Sequence, residues 1–545
     1  MDLKGTPFYL DDEQLNWVEQ TLAGLSLEQK AGQLFCVMGG DYSEGELLEL
    51  VGRFAVGGVL FRPGLSAQLC ERFARLDQAA AVVLLKAANL EEGGSGAISD
   101  GMFFGWPMMV AATDDINCME EFAQVCAAQG GSIGINWTFS PVCDLDINCQ
   151  NPITNVRTCG SDTPRVRDMC ETYVQSVQGK GMAACAKHFP GDGVDYRDQH
   201  LHPTYNSLSV DAWEDSYGLI YRSLIKAGLL SVMAGHIVQP ALEMREDSSL
   251  EFSDCLPASL SQNLLTGVLR KRLGFNGLIT TDATIMGGFT QAMRREDAIP
   301  AAINAGCDML VFNTNFYEDY GYVLSALHSG ILSEMRLDEA VTRILALKAK
   351  VALRPAQAEP LPEAASWRKS CAHKAVTLVK DLDSLVPIST QKYQRVRLIT
   401  IGSDSIDSGS MTEQMEQRLR QAGLKTDRFE IEKEELHGTE QIDRSCLTLY
   451  LCNLETASNQ TAVRIFWAKK HALDIPRFVH EQDSIFVSFA NPYHLQDVPR
   501  VRTYINAYSC HRDTVDAVAD KLLGHSAFTG VSPVDAYCGL PDTRI

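Results

Sequence analysis

Eight short apolar runs, separated by helical patterns, recur through the first 350 residues, and no other feature limits the fold as strongly. They lie at 34–38, 58–61, 82–88, 135–139, 183–188, 229–236, 277–281 and 308–312. Several are apolar almost throughout, as strands covered on both faces must be. Helical spacing fills most of the intervals. Thr163 and Pro164 read as an N-cap and a first-turn proline. Val166, Met169, Tyr173 and Val177 then share one stripe. A second helix carries Leu264, Leu265, Val268 and Leu269 and ends near Gly274, a natural left-handed cap. Eight strands with helices between them predict an α/β chain built on a TIM-like (β/α)8 barrel.

A chain of 545 residues exceeds what one hydrophobic core usually organises, about 250–300 residues. A break is visible where Pro355, Pro360 and Pro362 cluster. Beyond it the alternation restarts, with strands expected at 396–401, 447–451 and 485–489 and helices at 411–422 and 512–523. The expected division is a catalytic barrel over 1–352, a proline-rich linker over 353–364 and a smaller α/β three-layer sandwich over 365–545.

The net charge of -21 argues against nucleic acid or an anionic membrane as a partner, because phosphate binding needs clustered Lys and Arg. The first nineteen residues lack the basic start and apolar run of a secretion signal. The sixteen cysteines sit mostly inside apolar runs, with no CxxC pair. They read as reduced thiols of a cytoplasmic protein. No organic cofactor is suggested. Asp, His188, His200 and His202 are ligand types, but no HExxH or comparable spacing supports a metal.

Ionisable residues follow two of the apolar runs, at the carboxyl ends where a parallel barrel carries its chemistry. Asp282 ends one strand; it points into the barrel mouth or caps the next helix. Lys187 and His188 end another. His188 is a site residue or a core histidine; Lys187 snorkels outward or meets an anion or hydroxyls in a cavity. Asp198 and His200 stand one residue apart on a glycine-containing loop. A carboxylate on one imidazole nitrogen orients the ring and leaves the other to exchange a proton near neutral pH.

The stretch Lys187-His188-Phe189-Pro190-Gly191-Asp192-Gly193, then four residues, then Asp198-Gln199-His200, resembles the KHFPGHG and DxH motifs of glycoside hydrolase family 3, in its β-N-acetylhexosaminidase branch. Gly274-Phe275-Asn276-Gly277 leading to Thr280-Thr281-Asp282 resembles that branch's nucleophile motif. The runs Phe139–Asp146, Arg157–Asp162, Met233–Ile237 and Ala305–Leu310 agree as well, as do Ala490–Tyr493 and Ala507–Ser509, so the resemblance spans nearly the whole chain. It implies a retaining β-N-acetylhexosaminidase acting on small amino-sugar oligosaccharides or cell-wall fragments. Asp282 would be the nucleophile and the Asp198–His200 dyad the acid/base. Lys187, His188 and Arg157 would hold sugar hydroxyls. Most retaining enzymes use two carboxylates; imidazole, with a pKa of about 6.5, reaches both protonation states near neutrality.

Three departures bear on the substrate. The branch has DQEGG after its third strand; here Asn89-Leu90-Glu91-Glu92-Gly93-Gly94 stands there, so Asn89 or Glu91 takes the sugar-gripping place. Asp192 replaces the histidine of PGHG, and Ala283 removes an acidic neighbour of Asp282. Other retaining β-glycosidases, a hexosaminide phosphorylase and a sugar-binding protein without turnover therefore stay open beside the hexosaminidase.

Overall fold

The computed structural model describes residues 1–353, 359–407, 409–435, 439–468 and 471–545. Part of the expected linker, 354–358, lies outside the described residues. Two compact units result. The first comprises Met1–Phe104, Glu120–Asn151 and Thr163–Leu361; the second comprises Gly105–Met119, Pro152–Asp162 and Pro362–Ile545.

The first unit is a closed parallel barrel. Its strands are β1 Phe35–Met38, β2 Gly58–Leu60, β3 Leu85–Ala88, β4 Trp137–Thr138, β5 Ala183–Phe189, β6 Ser231–Ala234, β7 Leu278–Ala283 and β8 Met309–Val311. Each pairs with its neighbours in chain order, and β8 returns to β1 with Phe35 opposite Leu310. All eight expected strands exist, each within a few residues of the apolar run that announced it. Side chains fill the lumen. Trp137 meets Phe139 edge-on at 4.6 Å and donates to the Ser231 hydroxyl at 2.8 Å, and Phe139 meets Phe312 at 6.1 Å.

The surrounding helices bury the stripes expected of them. The helix Thr163–Gly179 buries Val166, Met169, Tyr173 and Val177. It already includes Thr163, so the expected cap is its first residue. Near the start of the chain, Asp11, Ser26 and Ser43 each close a reciprocal cap with the residue three places on, worth about 1 kcal/mol apiece. The segment Asn263–Arg272 winds as a π-helix, a departure from the expected helix, and still buries Leu264, Leu265, Val268 and Leu269. Gly274 adopts the left-handed conformation anticipated for it, with φ +73°.

The second unit is a mixed six-stranded sheet of β9 Thr377–Asp381, β10 Arg395–Gly402, β11 Lys425–Arg428, β12 Cys446–Asn453, β13 Ser484–Ser488 and β14 Thr503–Asn506. The order is β9-β14-β13-β12-β10-β11, with only β9 antiparallel. One face packs Leu398, Leu449, Val487 and Ile505 against the helices Met411–Gln421 and Arg512–Leu522. The other gathers Ile399, Tyr450, Phe486 and Tyr504.

None of the sixteen cysteines is in a disulfide, and thirteen of them are buried. Among the described residues no helix is long and apolar enough to cross a membrane, and no group of three potential metal-binding side chains occurs.

Candidate active site

The site grows from the carboxyl ends of β5, β6 and β7. Residues 142–144 run beside the end of β5, with the Cys143 amide donating to the Lys187 carbonyl at 2.9 Å. This register carries the Asp144 carboxylate to His188. One oxygen accepts from the His188 amide at 3.0 Å, and the other pairs with Nδ1 of the ring at 2.7 Å. An ionised carboxylate only accepts, so Nδ1 carries the proton and Nε2 faces the barrel mouth. That Nε2 lies 3.7 Å from Oδ2 of Asp282.

Asp282 is nine-tenths buried near the end of β7, and its Oδ1 accepts from the Ala283 amide at 2.7 Å. Burial is the largest influence on its pKa and pushes it up. His188, His236 and His200, with the Ala283 N–H, act the other way and prevail, so Asp282 sits below its ordinary value. The outcome is a buried carboxylate held ionised by three imidazoles and a backbone dipole.

A second imidazole–carboxylate pair completes the mouth. Asp198 accepts from the His200 amide at 2.8 Å and from its Nδ1 at 2.7 Å. Asp198 is fully buried, whereas the His200 side chain keeps 21% of its surface exposed. The loop is tied to the turn that leaves β7: the Gly287 amide donates to the His200 carbonyl at 2.7 Å, and the Gly288 amide to that of Gln199 at 3.1 Å. A Cβ on residue 288 would stand 2.6 Å from that carbonyl oxygen and from the His236 side chain, so only glycine allows the approach.

Lys187 is buried, and its ammonium forms a short ion pair with Glu91 and reaches Asn89 Oδ1 at 3.5 Å. Of the two candidates after β3, Glu91 holds the lysine and exposed Asn89 stands beside it. Arg157 belongs to the second unit, where its guanidinium donates to the Ile153 carbonyl at 3.1 Å. The first unit therefore brings together Asp282, His188, Lys187, Asn89, Glu91, Asp198 and His200.

Two members of this network escaped the sequence reading as site residues. His236 is fully buried after β6, and its Nε2 donates to the Ala283 carbonyl at 3.1 Å while Nδ1 meets the Ser259 hydroxyl at 2.8 Å. Burial is the main reason its pKa is lowered, and the Asp282 carboxylate opposes that shift. A histidine directly after an apolar run was the available signal. Gln199, between Asp198 and His200, donates to Asp192 at 3.1 Å and accepts from the His236 amide at 2.8 Å.

Known proteins resemble the chain over most of its length. Residues 26–347 match the model of the glycosyl hydrolase family 3 N terminal domain. A "Beta-N-acetylglucosaminidase/beta-glucosidase" of Cellulomonas fimi is 41% identical over 563 aligned positions that cover 100% of both chains. The solved structure of a protein named beta-glucoside phosphorylase BglX superposes with a TM-score of 0.93 at 41% identity, covering 99% of each chain. A family 3 β-N-acetylglucosaminidase from Paenibacillus sp. str. FPU-7 shares the fold, with a TM-score of 0.78 at 24% identity over 95% of this chain and all of that one. With the barrel, the strand-end carboxylate and the matched model in agreement, the chain belongs to glycosyl hydrolase family 3 and is a glycosidase.

Proposed function

We propose that this chain is a retaining β-glycosidase acting on terminal β-linked N-acetylglucosaminides, with β-glucosides as further substrates. Asp282 attacks the anomeric carbon and forms a covalent glycosyl-enzyme. His200 donates the Nε2 proton to the departing oxygen, which leaves as the alcohol. The neutral ring then takes a proton from water as the hydroxyl attacks, releasing the sugar with its configuration retained. Asp198 keeps the ring in the tautomer that leaves Nε2 available. Lys187, His188, Asn89 and Glu91 bind sugar hydroxyls.

The observation that carries this reading is the lowered pKa of the nine-tenths-buried Asp282, ringed by three histidines, one on a loop hydrogen-bonded to the nucleophile's own turn. A buried carboxylate held ionised is what nucleophilic attack requires. The substrate range is supported by the C. fimi relative, named for both activities. Incubation with a 2-deoxy-2-fluoro glycosyl fluoride and peptide mass spectrometry tests the mechanism: the expected product is a sugar ester on Asp282, and a label elsewhere refutes it. Nitrophenyl glucosaminide, galactosaminide and glucoside, compared by kcat/KM, test the sugar.

A second reading concerns the acceptor. A neutral imidazole repels an incoming phosphate less than a carboxylate would, and the phosphorylase cited above aligns over 99% of the chain. Release of a sugar 1-phosphate in phosphate buffer would establish phosphorolysis; free sugar alone would exclude it. We place the protein in the cytoplasm, acting on imported or recycled fragments, because sixteen cysteines without a disulfide suit a reducing compartment; cell fractionation checks this.

A further inference from the structure

The loop after β5 carries Asp192 where the resembled motif has histidine. Its side chain is buried, 2% exposed, and three N–H groups converge on the carboxylate. Gly193 donates from its amide to Oδ1 at 2.7 Å, Asn151 from Nδ2 to Oδ1 at 3.2 Å, and Gln199 from Nε2 to Oδ2 at 3.1 Å. The backbone of Asp192 is held too. Its amide donates to Asp144 at 2.7 Å, and its carbonyl accepts from the Tyr217 hydroxyl. The left-handed turn at Gly191 makes this fit possible, since a Cβ there would lie 2.1 Å from the Tyr217 ring.

The polarity of these bonds has a consequence. An amide side chain has one accepting and one donating end. Because ionised Asp192 only accepts, Gln199 must turn Nε2 toward it, and Oε1 is then left to receive the His236 amide. Gln199 lies between Asp198 and His200, and His236 holds the Ala283 carbonyl next to Asp282. A chain of directed hydrogen bonds thus links the β5 loop, the acid/base loop, the end of β6 and the nucleophile strand.

We propose that Asp192 is a positioning residue that, through Gln199, holds His200 in register with Asp282. This rests on the reading of His200 as proton donor. Asp144, His188 and Asp198 are the titratable groups around Asp192, with Tyr217 and, beyond Gln199, His236. Burial and then the Asp144 carboxylate push Asp192 up to about 7. Above that value it is ionised and offers acceptors to all three donors.

The test separates bond polarity from simple packing. Asp192→Asn keeps the shape but presents a donor to Gln199, which cannot then satisfy both neighbours. The pair Asp192→Asn with Gln199→Glu moves the carboxylate one step along and restores an acceptor for both the new side-chain amide and the His236 amide. On an alkyl glycoside, whose leaving group needs protonation, the single variant is expected to lose roughly tenfold to a hundredfold in kcat/KM, part of what a general acid supplies. Glycosylation by a glycosyl fluoride, which needs little acid help, should stay within about twofold, and the double variant should regain most of the loss. Equal losses on both substrates, no loss on either, or a double variant no better than the single would overturn the proposal. Failure of the underlying reading is seen separately: His200→Phe would then lose no more on the alkyl glycoside than on the glycosyl fluoride.

Discussion

Two imidazole–carboxylate pairs stand at the same barrel mouth and differ in almost everything except their central bond. In both, Nδ1 meets a buried carboxylate at 2.7 Å and that carboxylate also receives the histidine's own amide. Asp144 reaches His188 across 44 residues of chain, and it also holds the Asp192 amide. His188 is almost wholly buried, with its free nitrogen turned to Asp282. Asp198 reaches His200 across two residues, and that ring remains partly open to solvent. The lesson is that one hydrogen-bond motif serves two tasks according to what surrounds it. In the proposed mechanism the sealed pair is a fixed neighbour of Asp282, and the pair open to water is the one that handles the proton.

The sharpest way to break this comparison is to remove the group that both rings serve. Asp282→Asn should lower kcat/KM on the order of 10⁶-fold, the scale seen when a nucleophile is lost, and abolish labelling by the fluoro sugar. Next, the two rings should fail differently. His200→Phe is expected to cost about 10²–10⁴-fold on an alkyl glycoside but much less on a glycosyl fluoride, whereas His188→Phe should depress both alike; identical patterns would mean that the rings share one role. Third, the carboxylates should separate in stability. Asp144→Ala strips the buried partner of His188 and Asp192 and should cost about 3–5 kcal/mol in denaturant unfolding. Asp198→Ala, whose ring can turn to water, should cost less. The smallest effect is in pH. Asp282 lies below its ordinary value, so it stays charged until acid conditions return its proton. With His188→Gln the opposing push of burial is less well balanced, so the acid limb of fluoro-sugar labelling should move to higher pH; a limb that stays in place would separate His188 from the charge of Asp282.

The barrel was largely readable from the sequence because a doubly covered strand must be apolar. All eight runs became strands; most were trimmed at their ends, as where Val83 emerges into solvent, and those ending at Phe189 and Ala283 ran slightly longer. The second sheet was half readable. Its central strands announced themselves, but Thr377–Asp381, Lys425–Arg428 and Thr503–Asn506 did not. Lys425–Arg428 is an edge strand without one apolar residue, so it is defined by its partner and not by its own pattern. In the site, pairs close in sequence or joined by motif were legible: Asp198 with His200, and Asp282 at its strand end. The Asp192–Gln199–His236 chain was not, because its bonds follow from how three loops meet, and no spacing encodes that.

The two units are woven from interrupted stretches of chain. Passing from Met1 to Ile545, the backbone changes unit at 104/105, 119/120, 151/152, 162/163 and 361/362. A gene fragment starting at the proline cluster would therefore lack two of the three pieces from which the second unit is assembled. Swapping that unit between relatives would require grafting the 105–119 and 152–162 excursions along with it, and during synthesis those early excursions must wait for the carboxyl-terminal third of the message to be read.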